Sequence, residues 1–537
     1  MALKIIVVLI PIVLIATLMI WKQYPTHKCA VIGYVLLSLF AIIFFDTSLE
    51  VVIKSSIYGL VYSFPITLMV AFSVLQITHM DLTGCVKRIA TFIKTMSPTD
   101  RGAQIMLLNF GAGTLLVALG ATPNAILPPI LLALGYTKYT SIALPCVGYD
   151  ALCTYSMLGA PLIIFADLAR VPLVEAAQIF SIYLPVVSTL VGFGMLYIGG
   201  RWVYIKMGWL PCVISGLTAG FTAIAMSFVP VLSSGVVLTG VVAGAMVILI
   251  MVIYLKLLGK PILDPGKLDE KDLKVNEEMS LAKALSTWII LLACLVIINF
   301  IPPLHELVFK KWEFPVELFI PGAPIYTRVF FQAYTWLLIS TLIAHFFTVR
   351  PAPGTGKKVV VTWVRRAWKA VLTCILFFGI AFVMMKSGTQ IMADGSWQIV
   401  DKNNNMIHVV ATATAAAVGG AYPFFSGLLG LFGGFITGSE SSAIAFFGRY
   451  TIETSNLLNI DFRVVAACMA MGGGLASVIS PLKLLQAAAT IDSIGEETKV
   501  FRTAVGLSVV MVLIAGVVCT IFSYPLAPVI SNIKYPI

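Results

Sequence analysis

The chain has 537 residues, of which 59% are hydrophobic and only 11% are charged. A soluble globular protein carries about 25% charged residues, so the composition excludes a water-soluble protein and predicts an all-α polytopic membrane protein. The net charge of +11 does not indicate nucleic-acid binding, because the basic residues lie in short loops between apolar runs, as the positive-inside rule describes. The five histidines and nine cysteines show no metal-ligand spacing, and we expect neither a metal nor a cofactor.

The apolar runs predict about twelve spanning helices, since each span needs about 20 apolar residues. The first seven lie near residues 4–21, 29–45, 57–80, 141–168, 172–198, 210–228 and 231–258. A linker at 259–283, which carries eleven charges of both signs, precedes the remaining five. These lie near residues 284–301, 331–349, 370–385, 464–490 and 504–525.

Two further apolar regions, 101–135 and 406–449, are too long for one helix, and glycine with serine, threonine or proline interrupts each midway. Each is either a kinked or doubled helix or a re-entrant hairpin. Residues 350–369 hold six basic residues and no acid, which predicts a cytoplasmic loop. Counting spans back from this loop, the basic 81–101 segment is cytoplasmic only if 101–135 returns to its own side. We therefore predict hairpins, with the N-terminus outside.

The two hairpin regions also mark an internal repeat. The run GATPNAI at 120–126 aligns with GSESSAI at 438–444, and the interruption MLGAP at 157–161 aligns with ISP at 479–481. This predicts inverted repeats at 1–200 (hairpin 101–135, broken helix 141–168) and 284–537 (hairpin 406–449, broken helix 464–490), joined by two helices and the cytoplasmic linker in 201–283. Inverted repeats with broken helices are a common plan of secondary transporters.

Interrupted helices supply groups that bind an anion and a coupling ion. Half-helix N-termini offer free N–H groups to carboxylate oxygens, and unwound carbonyls and hydroxyls suit a cation. Half-helices are expected at Ser441–Arg449 and Pro123–Gly135, with Thr122 as N-cap of the latter. The predicted substrate-binding residues are Thr122, Asn124, Ser439, Ser441, Ser442 and Lys483.

Three ionisable residues lie near the breaks. Glu440 at the second tip is the predicted coupling residue. The alternative is that the tip reaches water and Glu440 is only a solvated acid. Lys483, two residues past Pro481, is the predicted anion partner, with snorkelling to the interface as its alternative. Asp150, which precedes MLGAP, either pairs with Lys483 or takes part in coupling.

The same segments resemble a known family. The runs LLVALGATPNAILPPILLALGYTKYTSIALPCVGYDALCTYSMLGAPLIIFADL, GLFGGFITGSESSAIAFFGR and GGGLASVISPLKLLQAAATIDSIGEE are similar to the hairpins and broken helices of the L-lactate permease family. The resemblance implies a symporter of the cell membrane for small 2-hydroxy monocarboxylates such as L-lactate or glycolate, usually proton-coupled. It also implies an elevator-type arrangement of scaffold and transport domains. A homodimer is one compatible assembly; the sequence does not decide the oligomeric state.

The chain departs from the family pattern at three positions. Leu115 stands about where the family has an acid before the first tip, Glu440 stands where a neutral amide is usual, and Lys483 replaces the amide of the family's P-Q-N. We hypothesise that coupling has moved to Glu440 and that Lys483 reinforces the anion site.

Other classes are left as alternatives. A Na⁺-coupled transporter of another organic anion and a cation/proton antiporter of the same group both stay open. An intramembrane enzyme would need a catalytic pair or metal set such as H-E-x-x-H, which the sequence lacks. The sequence also has no Walker-type motif, which argues against direct use of ATP.

Overall fold

The computed structural model describes residues 2–20, 22, 24–96, 100–148, 150–320 and 324–533. Trp21, at the end of the first predicted span, and Tyr149, inside the predicted broken helix 141–168, lie outside the described residues. Most of the described chain is helical, which confirms the prediction of an α-helical polytopic membrane protein.

The helices of the first half include two hairpin arms and a broken helix. In chain order they are α1 Ala2–Ile20, α2 Thr26–Phe44, α3 Leu49–Tyr62, α4 Phe64–Leu82, α5 Cys85–Thr95, α6 Arg101–Ile105, α7 Gly113–Ala118, α8 Pro123–Ala133, α9 Lys138–Gly148, α10 Ser156–Ala169, α11 Leu173–Phe228, α12 Pro230–Ser233 and α13 Thr239–Leu257. A π-helical turn at Met106–Ala112 makes α6 and α7 one continuous arm.

The second half adds two small β-ribbons. Its helices are α14 Glu270–Glu278, α15 Leu281–Phe300, α16 Pro302–Glu306, α17 Ala333–Ile343, α18 Thr355–Lys386, α19 Met406–Val418, α20 Tyr422–Thr437, α21 Glu440–Leu457, α22 Phe462–Gly474, α23 Pro481–Ala489, α24 Glu497–Ser523 and α25 Ala527–Ile530. The strands β1 Phe314–Val316 and β2 Ile325–Thr327 pair antiparallel, as do β3 Thr389–Ile391 and β4 Trp397–Ile399.

Ten helices among the described residues are long and apolar enough to cross a membrane, or eleven if the bent pair α9–α10 is one span. The expectation of about twelve spans is close to this count. The count takes α11 once, although a kink at Gly200 and Arg201 divides it into the two spans predicted there, and it includes Met406–Thr437 of the second hairpin region. The predicted span 331–349 is a shorter apolar helix, Ala333–Val349.

In both hairpin regions the two ends of the segment meet. Arg101, which begins the first region, donates to the carbonyl oxygen of Leu134 at 3.1 Å, and its guanidinium lies over the ring of Tyr136. In the second region, His408 near the start of α19 lies 3.1 Å from the carboxylate of Glu453 in α21. Each segment thus returns to the end where it began. Re-entry into the membrane from one side stays a prediction.

The arms of the second region are longer than the sequence indicated. The half-helix predicted at Ser441–Arg449 is the helix α21, which begins one residue earlier and continues to Leu457. The predicted end at 449 is wrong because Arg449 and Glu453 break the apolar run without breaking the helix. The half-helix predicted at Pro123–Gly135 is α8, which ends at Ala133.

Glycines let the second hairpin approach α22 at backbone distance. A Cβ at Gly430 or Gly434 of α20 would clash with the carbonyl oxygens of Met469 and Gly473, and a Cβ at Gly472 would clash with that of Gly427. Small residues at such crossings permit the close helix packing typical of membrane proteins. This crossing holds the second tip against the second break.

Candidate functional site

The first tip is the turn between α7 and α8. Gly120 has φ +80°, and the N–H groups of Gly120 and Ala121 bond back to the carbonyls of Val117 and Leu116, so the turn closes α7 with a Schellman motif. Thr122 occupies the N-cap position of α8 as expected, but its side chain makes no capping hydrogen bond. Pro123 at N1 has no N–H group to satisfy, and the N–H of Ala125 at N3 bonds to the backbone carbonyl of Thr122 at 2.9 Å.

The second tip is the turn between α20 and α21. Gly438, with φ +71°, ends α20, and Ser439 precedes α21 in extended conformation. The first helical bond of α21 runs from the N–H of Ala443 to the carbonyl of Ser439, so the N–H groups of residues 440–442 have no acceptor within the helix. The hydroxyls of Ser441 and Ser442 stand beside these N–H groups. This end of α21 therefore presents donors and partial positive charge.

Glu440 is buried at this helix start, with 3% of its surface exposed. One carboxylate oxygen accepts a hydrogen bond from the Thr154 hydroxyl at 2.6 Å. The other has no hydrogen-bond partner among the described residues and faces Gly474, where an added Cβ would lie 2.7 Å from it. The interpretation that Glu440 is a solvated surface acid does not fit this burial.

The two breaks supply the groups around Glu440. The helix α9 ends at Gly148, and the axis of the pair α9–α10 bends by 69°. A 3₁₀ turn at Cys153–Tyr155 and left-handed backbone angles at Met157, Leu158 and Gly159 follow, so the first interruption begins before the predicted MLGAP run and includes its first three residues. Between α22 and α23 a 3₁₀ turn at Ser477–Ile479 interrupts the helix just before the predicted proline. Unwound backbone at these positions is surrounded by protein, as it must be within a membrane.

Lys483 links the second break to both acids. Its ammonium group donates to the hydroxyl of Ser477 at 2.7 Å and interacts electrostatically with Asp150 and Glu440. Asp150 has 4% of its surface exposed. Two buried carboxyl groups and one half-buried amine therefore form a cluster, which we call the central cluster: Asp150, Glu440 and Lys483.

Asn124 joins the first tip to the same break. It is 1% exposed, and its side-chain N–H groups donate to the carbonyl of Lys483 at 3.2 Å and to the side chain of Gln486 at 3.1 Å. The contacts therefore cross: the first tip bonds to the second break, and the second tip bonds to the first. Thr122, Ser439, Ser441 and Ser442 make no side-chain hydrogen bond to the central cluster among the described residues.

Three contributors to the cluster are absent from the predicted set: Thr154, Gly474 and Ser477. A signal for each is present in the sequence, because Thr154 lies three residues before MLGAP and the other two belong to the GGGLAS run before the second break. The sequence does not say which hydroxyl or glycine of these runs faces the acids.

Comparison with known proteins identifies the relationship. The family model described as L-lactate permease matches residues 4–526. The chain belongs to the L-lactate permease family. It is 23% identical to the glycolate permease GlcA of Escherichia coli strain K12 over 98% of this chain and 96% of that protein. It is 24% identical to the L-lactate permease of the same strain over 90% of each chain, and 22% identical to that of Bacillus subtilis strain 168 over 95% of this chain and 94% of the relative.

Among solved structures, a distant match is Neisseria gonorrhoeae MtrF, whose structure is described as illuminating a class of antimetabolite efflux pumps. The TM-score is 0.45 with 13% identity, over 93% of this chain and 95% of that chain.

Members of the L-lactate permease family are transport proteins, so the chain is a multi-pass permease of the cell membrane and not an enzyme. Two of the three positions expected to depart from the family pattern lie together, since Glu440 and Lys483 belong to one cluster. The third, Leu115, packs against Gly244 of α13. Within the ranges that the structure describes, no group of three or more His, Cys, Asp or Glu side chains is arranged to hold a metal ion.

Proposed function

We propose that the protein is a proton-coupled symporter of small 2-hydroxy monocarboxylates, with L-lactate or glycolate as substrate. The observation that supports it most is the central cluster, where buried Glu440 and Asp150 lie beside half-buried Lys483 at the junction of a tip and two breaks. The names of the relatives, which include L-lactate and glycolate permeases, support the substrate class.

The substrate carboxylate binds at the start of α21. Its oxygens accept from the free N–H groups of residues 440–442 and from the hydroxyls of Ser441 and Ser442, while Lys483 supplies the opposite charge. A helix N-terminus and a nearby cation both favour an anion. The hydroxyl next to the carboxylate of a 2-hydroxy acid bonds to Asn124 or Thr122 on the first tip. This assignment uses five of the six predicted substrate-binding residues; Ser439 has no role in it.

Charge balance in the cluster explains the coupling. With Lys483 protonated and both acids ionised, the cluster carries one net negative charge, and a substrate anion would raise this to two. A buried uncompensated charge costs several kcal/mol, so the anion binds together with one cation. Glu440 accepts a proton on the oxygen that faces Gly474, while Thr154 holds the other oxygen. A sodium ion on the same carboxylate satisfies the same balance and is the alternative coupling ion.

The two halves form inverted repeats, at 1–200 and 284–537, in an elevator-type protein. Each half runs in the same order: a hairpin, an interrupted helix, and a long helix that follows it. Left-handed glycines at corresponding tips, Gly120 and Gly438, support the correspondence. The hairpins and breaks move as the transport domain against a scaffold that includes α2, α3, α4 and α18, which pack on one another.

Transport by purified protein in liposomes tests the proposal. We expect an inside-alkaline pH gradient to drive accumulation of labelled L-lactate or glycolate. Glu440→Gln should abolish this accumulation and keep counterflow exchange, because the amide keeps the shape of the site. Glu453→Gln is the matched control, since this acid lies on the same helix, bonded to His408 and outside the cluster. Accumulation that follows a sodium gradient instead would assign coupling to sodium; no exchange of any carboxylate would reject the proposal.

A further inference from the structure

Three basic side chains converge at one end of the helices that enclose the central cluster. Arg170 follows the last residue of α10, Lys386 ends α18, and Arg449 lies in the middle of α21. The charges of Arg170 and Arg449 both act on Lys386, and the charge of Arg170 acts on Arg449. We call these three residues the outer basic cluster.

Helix packing places the three residues together. Gly448 of α21 lies against Leu168 of α10, where an added Cβ would clash with the leucine side chain. On its other side α21 contacts α18, with the rings of Phe446 and Phe377 5.9 Å apart. The helix α21 therefore lies between α10 and α18, and Arg449 comes next to the ends of both.

The outer basic cluster has no carboxylate at ion-pair distance, within 4.0 Å of Arg170, Lys386 or Arg449, in the part of the chain that the structure describes. Two acids lie nearby. Glu453 acts on Arg449 but bonds to His408, and Asp167 acts on Tyr62 together with the two arginines. The positive charges of the three basic side chains repel one another, and an anion bound from solution would reduce this repulsion.

The position of the cluster relative to the membrane follows from α18. The first half of this helix carries Lys357, Lys358, Arg365, Arg366 and Lys369 and is cytoplasmic by the positive-inside rule. Lys386 lies 20 residues beyond Arg366, a rise of roughly 30 Å, which is about the thickness of the hydrocarbon core. The cluster is therefore on the outer side.

The cluster is accessible and lies in line with the central site. Arg170 is exposed, and Lys386 and Arg449 are half-buried. Arg449 is nine residues from Glu440 along α21, a distance of roughly 13 Å at 1.5 Å per residue. Because the same helix joins the two clusters, an anion held at Arg449 is next to the helix that leads to the buried acid.

We propose that Arg170, Lys386 and Arg449 form an outer anion-binding site that captures the substrate carboxylate from the external solution before it reaches the central cluster. This inference rests on the proposed function. Its ligand is a small carboxylate and not a phospholipid headgroup, because Arg449 and Lys386 are recessed between α10, α18 and α21.

The test is the concentration dependence of transport from each side of the membrane. Arg449→Gln and Lys386→Gln should each raise the KM for external L-lactate or glycolate about 3- to 10-fold, with little change in maximal rate, and weaken the dependence of uptake on ionic strength. The KM for efflux should not change. Lys386→Arg should restore the wild-type value. Lys54→Gln is the control, since Glu50 already neutralises this cation at 2.5 Å.

Each outcome decides between the two proposals. Unchanged external KM and salt dependence in both variants, with normal wild-type transport, would overturn the outer site alone. An equal loss from both sides would assign the residues to folding and would also overturn it. The effect should persist in liposomes of neutral phosphatidylcholine; an effect confined to anionic lipid would assign the site to headgroups. Both proposals are wrong if the wild-type protein transports neither L-lactate nor glycolate nor other carboxylates, and if none of them stabilises it against heat.

Discussion

Replacement of Gly474 by alanine tests the geometry of the central cluster directly. An alanine Cβ at this position would lie 2.7 Å from the free carboxylate oxygen of Glu440 and 2.9 Å from the Cβ of Cys153. Ordinary contacts of this kind are about 3.5 Å or more, so both neighbours must move by several tenths of an ångström. Glu440 is held on its other side by Thr154 at 2.6 Å, and the first break carries both Thr154 and Cys153.

The free-energy cost of Gly474→Ala is that of overpacking. An extra methyl group in a well-packed interior costs about 1–3 kcal/mol, and each 1.4 kcal/mol is a tenfold change in an equilibrium or rate. If this cost falls on the arrangement that binds substrate, Gly474→Ala should reduce counterflow exchange by about 5- to 150-fold. Gly474→Ala should also lower the thermal stability. Substitution of Glu440 by aspartate in the same protein withdraws the carboxylate from the added methyl group and should recover part of that stability.

The assay is counterflow of labelled L-lactate, with thermal unfolding in detergent to verify the fold. The matched control is Gly506→Ala, a helical glycine of α24 with no heavy atom within 4 Å of an added Cβ, which should leave exchange unchanged. Wild-type exchange by Gly474→Ala would show that the carboxylate of Glu440 does not lie against this glycine, and the proposed proton site would be wrong.

Three other changes have defined outcomes. Asn124→Ala removes two buried hydrogen bonds between the first tip and the second break and should lower the free energy of unfolding by about 1–3 kcal/mol, measured by denaturant titration. Arg463→Met leaves Glu175 without its 2.8 Å partner at a buried contact between α22 and α11; a loss of about 3–5 kcal/mol is expected, and Glu175→Met in the same protein should restore part of it in thermal unfolding. Gly430→Leu places a side chain into the carbonyl of Met469 and should abolish folded monodisperse protein on size exclusion, whereas retention of the wild-type profile would contradict the close crossing of α20 and α22.

Several features of the fold could be predicted because short-range chemistry decides them. Apolar length places most of the spanning helices within a few residues of their observed ends. Gly120 and Gly438 mark turns because the left-handed backbone angles found there favour glycine. The run before Pro161 also marks a break. Its backbone angles are left-handed at Met157 and Leu158, although neither residue is a glycine.

Other local features were missed where the apolar pattern is ambiguous. Arg449 and Glu453 led to a helix end that does not exist, because α10 and α18 pack against α21 and the helix carries both charges at half-buried positions. Thr122 is the N-cap residue as expected, but its side chain makes no capping hydrogen bond, and the N–H of Ala125 bonds to its backbone carbonyl instead.

The amino-acid sequence by itself determined the class of the protein, the places where helices end or break, and the candidates Asp150, Glu440 and Lys483, because hydrophobicity, glycine and proline act over a few residues. Only the tertiary structure decided which of these groups meet. Thr154 and Glu440 are 286 residues apart in the chain and 2.6 Å apart in space. Such a contact depends on how α20 crosses α22 and how the two breaks face each other, and these are outcomes of packing over the whole chain.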